Sequence, residues 1–248
     1  MALIDVHAHY GMNDYESYDP STKVKIILNG MNQETNDFAV SQASINSNVN
    51  AAVGFHPLQV ESEHSLVDAA NVCKHIKKYK GIVAIGEIGL DYFHCKDPKI
   101  QHLQQTVFRM MLELAEKLQL PILIHARNAV SDVLDILETM KSDKTFTQYV
   151  VMHCMEASVK NIERALNMGC YFTIPAAVVR NEQFFRLVQT VPVSKMFTET
   201  DAPFQGPVKG TPAKPEDVQY AVDVIAKEKG TDPKEVENIL YANYMKVF

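Results

Sequence analysis

Short apolar, β-branched runs recur along the chain, with segments of helical period between them. The runs are "ALIDVH" (2–7), "VKIIL" (24–28), "AAVGF" (51–55), "IVAIGE" (82–87), "PILIH" (121–125), "YVVMH" (149–153), "YFTI" (171–174) and "KMFTET" (195–200). None shows clean apolar–polar alternation, the pattern of strands buried on both faces. Between them, "KIQHLQQTVFRMMLELAEKLQL" (99–120) spaces Leu103, Val107, Met110, Met111 and Leu114 at helix intervals. "SVKNIERALNMG" (158–169) ends in Gly169, a helix stop. Residues 64–80, 128–141 and 180–190 also read as helices. Two more close the chain: Pro215 suits a first helical turn. In "DPKE" (232–235), Asp232 suits an N-cap, Pro233 the next position and Glu235 a capping box. No sequence repeat is present. Eight strands alternating with helices in 248 residues predict a (β/α)8 TIM barrel, a single domain over 1–248. A doubly wound sheet would need fewer strands and often a Gly-rich dinucleotide loop; "GEIGLD" (86–91) is not one.

A barrel of this kind carries its chemistry at the C-terminal ends of its strands. Polar residues fall there. Strand 1 ends in "DVHAH", strand 3 at His56, and strand 4 at Glu87 with Asp91 soon after. Strand 5 ends at His125 with Arg127 two residues on, strand 6 at His153, and strand 8 at Glu199 and Asp201. His7 and His9, two apart on a strand, face one side. Alone, that pair fits a half-exposed strand as well as half a metal site. Five strand-end histidines with Glu87 and Asp201 are harder to place in a core, because converging imidazoles and carboxylates cost free energy unless paired or metal-bound. The set exceeds the needs of one tetrahedral zinc. A carboxylate can bridge two ions, and two ions about 3.5–4 Å apart can activate water and stabilise entering and leaving oxygens. Mixed nitrogen and oxygen ligation admits Zn, Mn or Mg. The remaining histidines, 64, 75, 94 and 102, read as surface residues. Asp5 reads as a buried supporting hydrogen-bond partner, and Asp91 either as a group orienting a histidine or as a helix-starting Asp.

Composition narrows the class. Hydrophobic residues make up 46% of the chain, enough for a sizeable core. No apolar run approaches the roughly 20 residues of a membrane span, and no signal peptide is visible. The four cysteines form no framework spacing; free thiols suit a reducing compartment, so a cytoplasmic location is expected. A net charge of −6 argues against a broad basic nucleic-acid surface. It does not exclude phosphoester chemistry, since bound metals reduce the need for surface basicity. Oligomeric state is not set by these features; a monomer is compatible with them.

The chain resembles the TatD-type metal-dependent deoxyribonucleases, within the amidohydrolase-like TIM barrels. The matching stretches are "DVHAH" (5–9), "GFHPL" (54–58), "GEIGLDY" (86–92), "PILIHAR" (121–127), "HC" (153–154), "ETDAP" (199–203) and the closing 225–248. The resemblance implies that His7, His9, Glu87 and Asp201 hold one divalent ion. Glu87, His125 and His153 would hold a second, with Glu87 shared. It implies hydrolysis of phosphodiester bonds in DNA, often from the 3′ end. Glu87 and Asp201 would be the catalytic residues, with Asp201 also placed to act as general base. His56 and Arg127 match positions near the substrate phosphate; a salt bridge to a neighbouring carboxylate is the plain alternative for Arg127. The chain departs from the family in "HCMEAS" (153–158), "YFTIPAAV" (171–178), "VKGTPAKPEDV" (208–218) and the short acidic, Tyr-rich "MNDYESYDP" (12–20). These loops would shape the substrate pocket, so a hydrolase of a small ester, amide or lactone stands as the alternative. A non-catalytic metal-binding role is a third, weaker one. Tyr10, Tyr15, Phe55, Tyr92 and Phe204 fit base stacking, a small-molecule pocket or plain packing.

Overall fold

The computed structural model describes residues 2–12, 15, 17–19 and 21–248. Of the acidic stretch 12–20, residues 13, 14, 16 and 20 lie outside the described residues. Eight parallel strands follow one another around a barrel in chain order. They are β1 (Ile4–Ala8), β2 (Lys25–Asn29), β3 (Val49–Val53), β4 (Ala84–Asp91), β5 (Ile122–Arg127), β6 (Val150–Met152), β7 (Tyr171–Pro175) and β8 (Met196–Glu199). Side chain and backbone close the ring: Thr198 Oγ1 donates to the Ile4 carbonyl at 2.6 Å. Asp201 N donates to His7 O at 2.9 Å and His9 N to Ala202 O at 3.0 Å. The architecture is a single-domain (β/α)8 TIM barrel. β1, β4 and β7 are buried at every position, which is why no alternation shows in their sequences.

The helices are α1 (Gln33–Ile45), α2 (Ser65–Ile76), α3 (Pro98–Leu118), α4 (Val130–Ser142), α5 (Val159–Asn167), α6 (Glu182–Thr190), α7 (Val218–Lys229) and α8 (Pro233–Val247). α3 starts where Asp97 accepts from Lys99 N with Pro98 just inside, and stops where Gln119 turns left-handed at φ 54°. Asp232 caps α8 by accepting from Lys234 N at 2.8 Å. Pro215 opens a short 3-10 turn, Pro215–Asp217, that leads into α7. Helix α1 has no counterpart among the predicted elements. Its buried face is Thr35, Asn36 and Ala39 rather than an apolar stripe. It docks by hydrogen bonds: Asn36 donates to Gly54 O at 2.8 Å and accepts from Gly54 N at 2.9 Å. No described helix is long and apolar enough to cross a membrane.

Strand β4 runs four residues beyond its predicted end. A tight approach to β5 accounts for this: a side-chain carbon at Gly89 (φ 141°) would stand 1.9 Å from His125 O. Glu87 therefore sits inside the strand, and Asp91 is its last residue rather than the start of a helix.

Candidate metal centre

The mouth of the barrel gathers the strand-end residues around Glu87, which is almost fully buried. Its two carboxylate oxygens face different neighbours. Oε2 lies 3.3 Å from His7 Nε2 and 3.4 Å from His9 Nε2. Those two nitrogens are 3.3 Å apart, and Asp201 Oδ1 stands 3.9 and 3.7 Å from them. Oε1 lies 2.9 Å from His125 Nδ1, 3.3 Å from His56 Nε2 and 3.8 Å from His153 Nε2. Donors about 2.1 Å from a tetrahedral ion stand about 3.4 Å apart, so the first group has the spacing of a ligand set.

The second ring nitrogen of each histidine decides what the first can do. His9 Nδ1 meets the Asn29 carbonyl at 2.8 Å. A carbonyl only accepts, so Nδ1 carries hydrogen, and Nε2 faces the carboxylates either as a donor when protonated or as a lone pair for an ion when neutral. His153 is fixed in the same sense, its Nδ1 2.7 Å from Glu199 Oε2. His56 is the reverse. Its Nδ1 accepts from Leu58 N at 3.1 Å, so Nε2 is the donor towards Glu87. His125 lies between two carboxylates, with Nε2 3.0 Å from Asp91 Oδ2. His7 stacks on His153 at 3.5 Å between ring centroids, and its buried Nδ1 has no hydrogen-bond partner among the described residues.

The electrostatics are those of carboxylates short of cations. Burial pushes the Asp201 carboxyl up to about 6. Burial opposes ionisation of Glu87 as well, but His56, His7 and the hydrogen bond from His125 hold it well below the usual range. Burial disfavours a charged His153, yet Glu199 and Asp201 outweigh it and raise it to about 10. His9 and His125 are raised against burial by hydrogen bonds to carboxylates, Glu87 for His9 and Asp91 and Glu87 for His125. Burial and the neighbouring His153 push His7 down to about 3. The Nε2 atoms of His9 and His153 face carboxylate oxygens, so positive charge must stand there, either as a proton on the ring or as an ion between nitrogen and oxygen. Divalent cations satisfy that demand, and the nitrogen–oxygen donor set fits them.

The TatD related DNase family matches residues 4–248. The chain belongs to that family. It is 30% identical to the uncharacterized metal-dependent hydrolase YabD of Bacillus subtilis, over 99% of this chain and 98% of that one. It is 27% identical to the human deoxyribonuclease TATDN3, over 100% of this chain and 95% of that protein. The crystal structure of YjjV, a TatD homologue from Escherichia coli, superposes with a TM-score of 0.85 at 25% identity, covering 99% of this chain and 97% of that one. This TatD-family chain is a metal-dependent hydrolase.

Of the candidate site residues, the barrel brings His7, His9, His56, Glu87, His125, His153 and Asp201 together; Arg127 stands apart. Its guanidinium lies over the Phe93 ring, 4.2 Å from the centroid, and among the described residues it makes no ion pair. It lines the cleft that opens beside His125 and His153, with Asn128, Glu156, Phe184 and Gln205. Asp5 holds the β8 end, accepting from Thr200 N at 2.9 Å and Thr200 Oγ1 at 2.6 Å. Asp91 caps the turn after β4 by accepting from Phe93 N and His94 N while also binding His125. His94 is therefore more than a surface residue, since its Nδ1 lies 2.9 Å from Asp91 Oδ2. Of the aromatics, Tyr15 packs edge-on against Phe204 at 5.4 Å. Glu199 had no assigned role in the sequence; only its place at a strand end marked it.

Proposed function

We propose that this chain is a two-metal phosphodiesterase that hydrolyses DNA, acting from the 3′ end, with residues 1–248 as one catalytic domain. One observation carries the reading: the two oxygens of Glu87 turn to separate sets of imidazoles, as a bridging carboxylate requires. His7, His9 and Asp201 would hold one ion, His125 and His153 the other, and Glu87 both. Bound there, divalent Zn, Mn or Mg would supply Lewis acidity and lower the pKa of a water. Asp201 would accept the proton of the attacking water, its carboxylate standing beside His7, His9 and His153 at the edge of both ion positions. Glu199 and the Asn29 carbonyl keep the lone pairs of His153 and His9 turned inward. His56 donates Nε2–H at the edge of the cluster, and Arg127 offers a planar fork to a phosphate in the cleft. The free thiols fit the cytoplasm.

The test is a nuclease assay on metal-stripped protein. Mg, Mn or Zn is returned with single- and double-stranded DNA labelled at either end, and Glu87→Ala is the control. Metal-restored loss of 3′ nucleotides, absent in the variant, supports the reading; no cleavage by metal-loaded protein sinks it. A second reading rests on Glu156, whose carboxylate lines the same cleft as Arg127. It would disfavour a phosphate there and suit a small neutral or cationic ester, amide or lactone. Turnover of such carbonyl substrates by a preparation without nuclease activity selects that alternative.

A further inference from the structure

We propose that Cys154 is a sulfur ligand to the ion held by His153, on the side that faces Asp201, and that it biases this position towards thiophilic divalent cations. The inference rests on the two-metal reading above. Donor atoms of His153, Cys154 and Asp201 all lie within 4.8 Å of one another. Asp201 divides its carboxylate as Glu87 does. Oδ1 faces the imidazoles of His7, His9 and His153, while Oδ2 lies 3.9 Å from Cys154 Sγ. His153 is only 4% exposed, and its Nδ1 is committed to Glu199. Its Nε2 therefore faces the same space, with Glu87 Oε1 and Asp201 Oδ1 both 3.8 Å away, and offers a lone pair there once an ion displaces its proton. This imidazole is independent of the sulfur, and the carboxylate oxygens facing its Nε2 call for positive charge at the same spot, which a bound ion would supply.

The backbone is held to present the thiol. Cys154 has φ 40°, in the left-handed region that non-glycine residues seldom occupy. Its N–H reaches both Thr173 Oγ1 and Glu199 Oε1, each at 3.0 Å. Glu199 therefore fixes the imidazole with one oxygen and the cysteine backbone with the other. Unusual backbone at a site of this kind is kept where the surroundings enforce it. Cys154 also lines the open cleft. Cys170, by contrast, is fully buried, and the Cys73 thiol packs on Met111. On binding, the S–H bond breaks, a sulfur–metal bond forms and the proton leaves to solvent through the cleft; the metal keeps its oxidation state. Thiolate favours zinc or cadmium over magnesium or manganese.

Cobalt(II) tests this without reference to activity. Metal-stripped protein is titrated with Co2+. Visible d–d bands report the bound ion, and a near-ultraviolet charge-transfer band reports a sulfur ligand. Wild type should show both. Cys154→Ser and Cys154→Ala should keep the d–d bands and lose the charge-transfer band. Their zinc affinity should fall about tenfold with manganese affinity nearly unchanged. Wild type with d–d bands and no charge-transfer band overturns the proposal, as does a band that survives in both variants. A wild type that takes up no cobalt, like Glu87→Ala, overturns the two-metal reading itself and this proposal with it.

Discussion

The two flanks of Glu87 are built from the same residue type and serve different ends. On the β1/β8 flank His7 and His9 are almost wholly buried, and the partner of His9 is a backbone carbonyl. On the β3/β5 flank His56 is held by a backbone N–H, and His125 by a carboxylate that reaches the exposed His94. Residue identity is constant; the partner of the far nitrogen changes. A carbonyl behind the ring makes it a lone-pair donor to a cation. An N–H behind it makes it a hydrogen-bond donor. The first flank is a closed seat for an ion, and on the second His125 borders the cleft where Arg127 stands. A histidine cluster is therefore read correctly only with its outer partners in view.

The largest effect should come from removing the residue both flanks share. Glu87→Ala should lose both ions in elemental analysis and lower kcat/KM by at least about 10³-fold, since metal Lewis acidity is worth several kcal/mol. Retention of two ions would break the bridging assignment. The flanks themselves separate in a paired experiment. His9→Asn should lose an ion, whereas His56→Asn should keep the wild-type metal content and lose about 10–100-fold in kcat/KM, the worth of a hydrogen bond to a charged group. Equal metal loss in both variants would erase the distinction drawn from their tautomers.

Glu199→Gln acts one step further out and should cost about 10–100-fold in metal affinity. It also carries a pH signature. His153 is raised from 6.5 to about 10, so the His153–Glu199 pair stabilises the metal-stripped fold fully below pH 6.5 and is lost as pH rises through about 10. Thermal unfolding of metal-stripped wild type should therefore show Tm falling over that window, and Glu199→Gln should flatten the fall. Metal competes with the same proton, so zinc affinity should rise across the window.

The strands were legible because most of their positions are buried on both faces and apolar; each of the eight predicted runs overlaps one. The ligand candidates were legible because a barrel exposes its strand ends to one space. Helix α1 was not, because Asn36 docks it by hydrogen bonds and leaves no periodic stripe. The inner from the outer nitrogen of His9 and His56 was not legible either. The deciding partners, Asn29 O and Leu58 N, are backbone groups that every residue carries. Cys154 stood beside a candidate ligand, but its approach to Asp201 depends on a left-handed φ that residue type does not announce.

The smallest effect tests whether the open flank meets the substrate at all. Arg127 makes no ion pair among the described residues, and its guanidinium rests on the exposed ring of Phe93. A cation stacked in this way is pre-aimed but not neutralised, so it stays available to a phosphate in the cleft. Arg127→Lys keeps the charge and loses the planar fork and the stacking. It should raise KM for DNA about tenfold, leave kcat within about twofold and leave both ions in place, because the contact is made equally in ground and transition states. Phe93→Ala should move KM in the same direction by less, through the freed guanidinium. A fall in kcat at constant KM would place Arg127 on the reacting phosphate instead. No change in either constant for DNA, with altered turnover of a small carbonyl substrate, would shift the cleft to the second reading and make Glu156 its next residue to replace.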